Sequence, residues 1–97
     1  MINYGRHYVD NNDLINIKKV FSSEHLTTGP FVKLFENTLK KYFDANYCLA
    51  VSSGSAALHM AGRALGWDKK TSVITTPITF VSTINSIIHN KSNPVLV

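Results

Sequence analysis

The stretch 51-VSSGSAALHMAGRAL-65 sets Ser-Ser-Gly-Ser between a short apolar run and an alanine-rich segment with helical spacing. Just upstream, 47-YCLAV-51 has the length and composition of a buried strand. Downstream, the pattern predicts a helix from Ser55 to about Leu65, with Gly66 placed to stop it. A strand that turns directly into a helix is the repeating unit of an α/β fold, in which ligands bind outside the carboxyl ends of the strands. The first N–H groups of a helix lack intrahelical acceptors and carry the positive end of its dipole, so an anion can satisfy both. Small residues at Ser53, Gly54, Ser55 and Ala56 would let a phosphate approach the backbone, and the hydroxyls add donors. A tight turn capped by Ser53 or Ser55 explains the same residues. Both readings stand at this point, because the stretch lacks the glycine pattern of a P-loop or of a dinucleotide fold. It is not a nucleophile elbow either, since Ala57 stands where the second glycine would belong.

The alternation continues outward. After the polar turn 67-WDKK-70, the run 72-SVITT-76 reads as a strand that Pro77 breaks. Thr79 can cap a helix carrying Phe80, Ile84, Ile87 and Ile88, and 94-PVLV-97 follows as a third strand. Phe80 fits either the core or a position stacked on a flat ring. Toward the amino terminus, Asp10 can cap a helix with Leu14, Ile17, Val20 and Phe21 on one face, ending near 22-SSEH-25. Pro30 is suited to open a second helix, with Thr28 or Gly29 as its cap. There Phe31, Leu34, Phe35, Leu39 and Tyr42 form the apolar stripe, and Asp44-Ala45-Asn46 closes it. The expected fold class is therefore α/β, a mostly parallel sheet flanked by helices, preceded by a helical arm. Three strands leave exposed edges, so the chain reads as the beginning of a larger domain.

Composition narrows the function classes. The 97 residues are 44% hydrophobic, as in an ordinary globular chain. No apolar run is long enough to span a bilayer, and the polar start does not resemble a signal peptide, so a cytoplasmic protein without a membrane partner is expected. The lone Cys48 agrees with a reducing compartment. The formal charge of +4 comes from scattered basic residues, with no continuous stripe for a nucleic acid. Four histidines and one cysteine show no paired ligand spacing, so no metal is expected.

Four stretches together carry a family resemblance: 4-YGRHYVDNNDL-14, 26-LTTGPFVKLFE-36, 50-AVSSGSAALHMA-61 and 75-TTPITFVSTIN-85. In this order the chain resembles the N-terminal part of the DegT family of pyridoxal-phosphate-dependent sugar-nucleotide aminotransferases. The last stretch is most similar to members that make 4-amino sugars for bacterial surface glycans, such as enzymes of the pseudaminic-acid pathway. The resemblance implies an N-terminal fragment of the type I aminotransferase fold, with residues 1–46 as a helical arm and 47–97 as the start of the cofactor-binding large domain. It implies pyridoxal 5'-phosphate as cofactor, with Gly54, Ser55 and Ala56 at its phosphate and Phe80 against its ring. Ser55 stands where many relatives have threonine, which keeps the hydroxyl. Tyr4, His25, Leu26 and Thr27 resemble positions that contact the sugar nucleotide.

The implied reaction moves an amino group from an amino acid, expected to be glutamate, to a keto-sugar nucleotide in surface-polysaccharide biosynthesis, and the implied assembly is a homodimer. No catalytic residue is assigned within these 97 residues. The family's Schiff-base lysine and the acidic partner of the pyridine nitrogen fall beyond the matching stretches, and the lysines present occupy solvent faces and turns. The chain alone is therefore expected to be inactive. A non-catalytic anion-binding or interaction module on the same scaffold is the alternative. Hydrolysis through Ser55 lacks a visible base.

Overall fold

Asp10 opens the first helix as the sequence suggests, and it does so reciprocally. One oxygen of its carboxylate accepts hydrogen bonds from the backbone N–H of Asn12 (2.7 Å) and of Asp13 (3.2 Å). The Asp13 carboxylate in turn accepts from the Asp10 N–H at 3.0 Å. This capping box fixes the start of α1 (Asn11–Phe21). The computed structural model describes residues 5–97; Tyr4 therefore lies outside the described residues. Two compact units are present, one extending to Ala50 and the other running from Val51 to Val97.

In the first unit, α1 is followed by α2 (Pro30–Tyr42). Of the two expected caps, Gly29 takes the position and Pro30 occupies the first turn. Asp44 adopts the left-handed conformation (φ 49°). The Ala45 N–H then reaches the Lys40 carbonyl at 2.9 Å, ending α2 in a Schellman motif. Large apolar side chains of this unit, including Phe21, Leu34 and Phe35, remain more than half exposed.

The strand expected at residues 47–51 does not form. A strand exists by its ladder, and this segment has none among the described residues. The Ala50 N–H instead donates to a Glu36 carboxylate oxygen at 2.8 Å, while Tyr47 and Leu49 stay exposed. Apolarity alone made the segment look like a buried strand.

The second unit consists of α3 (Gly54–Ala64), β1 (Ser72–Thr75), α4 (Val81–His89) and β2 (Asn93–Leu96). The two strands pair in parallel, with Ser72 opposite Asn93 and Thr75 opposite Leu96, so α4 is the crossover between them. Gly66 ends α3 at φ 73°, and Lys91 ends α4 at φ 61°. The Trp67 N–H bonds to the Gly62 carbonyl and the Ser92 N–H to the Ile87 carbonyl, both at 3.0 Å. Both helices thus finish in the same motif as α2.

The expected start of α4 is corrected by one residue. Phe80, not Thr79, is the N-cap, and its side chain makes no capping bond. The Thr79 hydroxyl is taken by the Thr83 hydroxyl at 2.9 Å. Phe80 is consequently absent from the apolar stripe of α4 and stands 75% exposed.

Packing in this unit centres on α4. Ile87 is its fully buried apolar residue, with Ser86, Asn90 and Ser92 buried around it. The Asn90 amide donates to the Ser86 carbonyl at 2.8 Å and to the His59 carbonyl at 3.1 Å, tying α4 to α3. Gly62 permits this approach, because a Cβ there would lie 2.5 Å from both the Asn90 Nδ2 and the Trp67 ring. No helix among the described residues is long and apolar enough to cross a membrane.

Candidate functional site

The amino-terminal end of α3 opens onto a cleft of about 450 Å³ within the second unit. Ser55, Ala56 and His59 line it from α3; Phe80, Ser82, Asn85 and His89 are among the residues lining it from α4 and its cap. Helical geometry explains each set. Ser55 and His59 are four residues apart, and so are Asn85 and His89, so each pair shares one helix face. The polar face of α4 thereby meets the start of α3, while Ile87 turns to the core.

The structure separates the roles of the serines. Ser53 is the N-cap of α3, and its Oγ accepts from the Ala56 N–H at 3.2 Å. The N–H groups of Gly54 and Ser55 have no acceptor among the described residues. Ser55 makes no capping bond, and it is the serine of this turn that faces the cleft. Of the three residues expected at a phosphate, Gly54 and Ser55 therefore offer free amides, whereas that of Ala56 is engaged by the cap.

Gly54 itself answers no need of the fold. A Cβ at this position would meet nothing within 4 Å. Its backbone is also outside the left-handed region, since Gly66 is the glycine with positive φ. Open space beside two free amides at a positive helix end is what a phosphate group requires. Exposed Phe80 on the same cleft supplies a flat apolar surface for a ring. The donor set therefore fits a phosphorylated aromatic molecule.

The remaining expected site residues lie elsewhere. His25, Leu26 and Thr27 form part of the loop between α1 and α2 in the first unit, and Leu26 is 63% exposed there. Tyr4 is not among the described residues. None of the chain's lysines lines the cleft.

His59 and His89 are among the four histidines whose sequence spacing suggests no shared site. They face one another across the cleft, ring centroids 6.0 Å apart and planes at 85°. Ser82, Asn85, Ser86 and His89, spaced as one face of α4, were the available signal. Among the described residues, no group of three or more His, Cys, Asp or Glu side chains is placed to hold a metal ion.

Comparison with known proteins adds to this geometry. Residues 7–97 match the model of the DegT/DnrJ/EryC1/StrS aminotransferase family. The chain is 36% identical over 86 residues to a UDP-4-amino-4,6-dideoxy-N-acetyl-beta-L-altrosamine transaminase of Campylobacter jejuni subsp. jejuni serotype O:2, covering 89% of this chain and 23% of that protein. It is 35% identical over 92 residues to the spore coat polysaccharide biosynthesis protein SpsC of Bacillus subtilis, covering 95% of this chain and 24% of the relative. The chain thus spans about a quarter of the length of these curated relatives. Among solved structures, it superposes with a TM-score of 0.86 and 25% identity on a protein described as a sugar aminotransferase from Streptococcus pneumoniae, in its PLP form. That match covers 99% of this chain and 24% of the other.

Proposed function

This chain belongs to the DegT/DnrJ/EryC1/StrS aminotransferase family, and from that premise we propose that it forms the phosphate- and ring-holding part of a pyridoxal-phosphate-dependent sugar-nucleotide aminotransferase. The observation that carries the proposal is the meeting of Ser55 and Phe80 on one cleft, beside the free amides at the start of α3. Gly54 and Ser55 donate backbone N–H groups to the cofactor phosphate, and the Ser55 hydroxyl adds a donor. Ala56, being small, lets the phosphate approach. Phe80 lies against the face of the ring and excludes water from it. Pyridoxal phosphate, when bound, supplies the electron sink that amino-group transfer requires. With no lysine on the cleft, the lysine that anchors the cofactor comes from outside these residues. Residues 1–46 act as the helical arm and 47–97 as the start of the cofactor-binding domain.

The substrate proposed is a keto-sugar nucleotide aminated at the expense of glutamate, for an amino sugar of a surface polysaccharide. The transaminase name of the Campylobacter relative and the polysaccharide role in the name of SpsC support that class. Within it we favour a 4-amino sugar of the pseudaminic-acid type. Tyr4, His25, Leu26 and Thr27 are the proposed sugar-nucleotide contacts. The exposed Phe21, Leu34 and Phe35 support burial of the first unit against further protein, which we assign to a homodimer in the cytoplasm.

The test uses the complete reading frame that contains these residues, supplied with pyridoxal phosphate. Incubation with UDP-4-amino-4,6-dideoxy-N-acetyl-altrosamine and 2-oxoglutarate should yield the 4-keto sugar nucleotide and glutamate, read by mass spectrometry. Cofactor binding without amino transfer to any nucleotide-linked keto sugar would contradict the enzymatic reading and favour a non-catalytic module.

A further inference from the structure

Asn90 directly follows the last residue of α4, is 2% exposed and does not line the cleft. Its side-chain amide donates to the His59 carbonyl at 3.1 Å and to the Ser86 carbonyl at 2.8 Å. Both acceptors belong to residues that do line the cleft, His59 on α3 and Ser86 on α4. Among the described residues, the bond to His59 is the one hydrogen bond that joins α3 to the end of α4. The two carbonyls fix the orientation of the amide, because exchanging its nitrogen and oxygen would set oxygen against oxygen. The buried Oδ1 is left without a donor among the described residues, which costs stability. Neither carbonyl depends on this side chain. The Ser86 carbonyl also accepts from the Asn90 backbone N–H at 3.3 Å, and His59 lies inside α3, one turn before Arg63. Asn90 therefore satisfies no orphan group; what its amide adds is a fixed distance between α3 and α4.

We propose that Asn90 is a positioning residue: through the His59 carbonyl it sets the separation between the phosphate turn at the start of α3 and Phe80 at the start of α4, and thereby the cofactor affinity, without touching the cofactor. Ser55 lies one turn before His59 on the same helix, and Phe80 caps the other end of α4. Ten residues at about 1.5 Å each put Phe80 about 15 Å from Asn90, so a tilt of about 5° at the pinned end displaces it by roughly 1 Å. A ligand held at both places binds more tightly than either contact alone allows, because the second contact forms within an already bound molecule. That gain depends on the separation. The inference rests on the cofactor reading proposed above.

The test uses the complete protein without cofactor and two probes. Inorganic phosphate occupies only the turn; pyridoxine 5'-phosphate adds the ring but lacks the aldehyde needed to bond a lysine. Calorimetry measures both on the unmutated protein, on Asn90→Ala and on the nearly isosteric Asn90→Leu, with circular dichroism to establish folding. Affinity for pyridoxine 5'-phosphate should fall about tenfold or more in each variant, while affinity for phosphate stays within about twofold. In a Phe80→Ala background, where the ring contact is already gone, adding Asn90→Ala should cause no further loss. A merely structural role lowers the melting temperature and leaves the ratio of the two affinities unchanged. That result overturns the inference, as do additive losses in the double variant or failure of both Asn90 variants to fold. Equal affinity of the unmutated protein for the two probes would instead refute the cofactor reading, and this inference with it.

Discussion

Replacing Ser55 by alanine separates a ligand-binding turn from a plain helix cap, because the structure assigns those two tasks to different serines. Ser53 caps α3 through the Ala56 N–H, while Ser55 faces the cleft and makes no capping bond. In the cofactor-free protein, Ser55→Ala removes no internal hydrogen bond and should change stability by no more than about 0.5 kcal/mol, as at ordinary surface sites. Ser53→Ala removes the cap and should cost about 1 kcal/mol. With cofactor the order reverses. Loss of one hydrogen bond to a charged phosphate costs roughly 1.5–3 kcal/mol. At about 1.4 kcal/mol per tenfold, Ser55→Ala should weaken pyridoxal phosphate binding roughly 10- to 150-fold. The assay pairs the melting temperature without cofactor with a spectroscopic titration of cofactor affinity, on both variants of the complete protein. Ser55→Ala with unchanged affinity would refute the assignment of its hydroxyl to the phosphate.

Three further outcomes are expected. Gly54→Ala should stabilise the cofactor-free protein by about 0.4–1 kcal/mol through the unfolded chain, since its Cβ meets open space, yet weaken cofactor binding by occupying that space; denaturant unfolding and the same titration measure both. Gly62→Ala should destabilise by roughly 1–3 kcal/mol, because its Cβ would come 2.5 Å from Asn90 and Trp67, and a lower midpoint in thermal unfolding checks this. Phe80→Ala should leave thermal stability nearly unaltered, the side chain being 75% exposed, while lowering cofactor affinity and shifting its absorbance.

Local chemistry was the part of this fold that could be read in advance. Asp10 and Pro30 announce helix starts through side-chain and ring geometry that act within a few residues, and Gly66 announces a helix end the same way. The alternation of helix and strand after residue 70 was legible because 72-SVITT-76 is a short apolar run, whereas Ile84, Ile87 and Ile88 recur at helical spacing. Residues 47–51 misled because a strand is defined by its neighbour, and no pattern within five apolar residues reports whether one is there. Thr79 misled because two hydroxyls compete for each other before either caps the backbone. At the candidate site, the Ser-Gly-Ser turn and Phe80 were visible as residue types. The division of labour between Ser53 and Ser55 was not, and neither was the approach of His89 to His59, which depends on how α3 and α4 pack.

The seam formed by Gly62, Trp67 and Asn90 sits behind the cleft and holds α3 against α4 through a buried amide. It has no slack: an added methyl collides, and a lost amide removes the side-chain hydrogen bond that joins α4 to the His59 carbonyl of α3. The exposed Asn85 and His89 on the cleft face are under no such constraint. Variation in what the cleft accepts can therefore accumulate on its open wall while its width stays fixed. The second unit is built like a vice whose screw is locked and whose jaw faces are interchangeable.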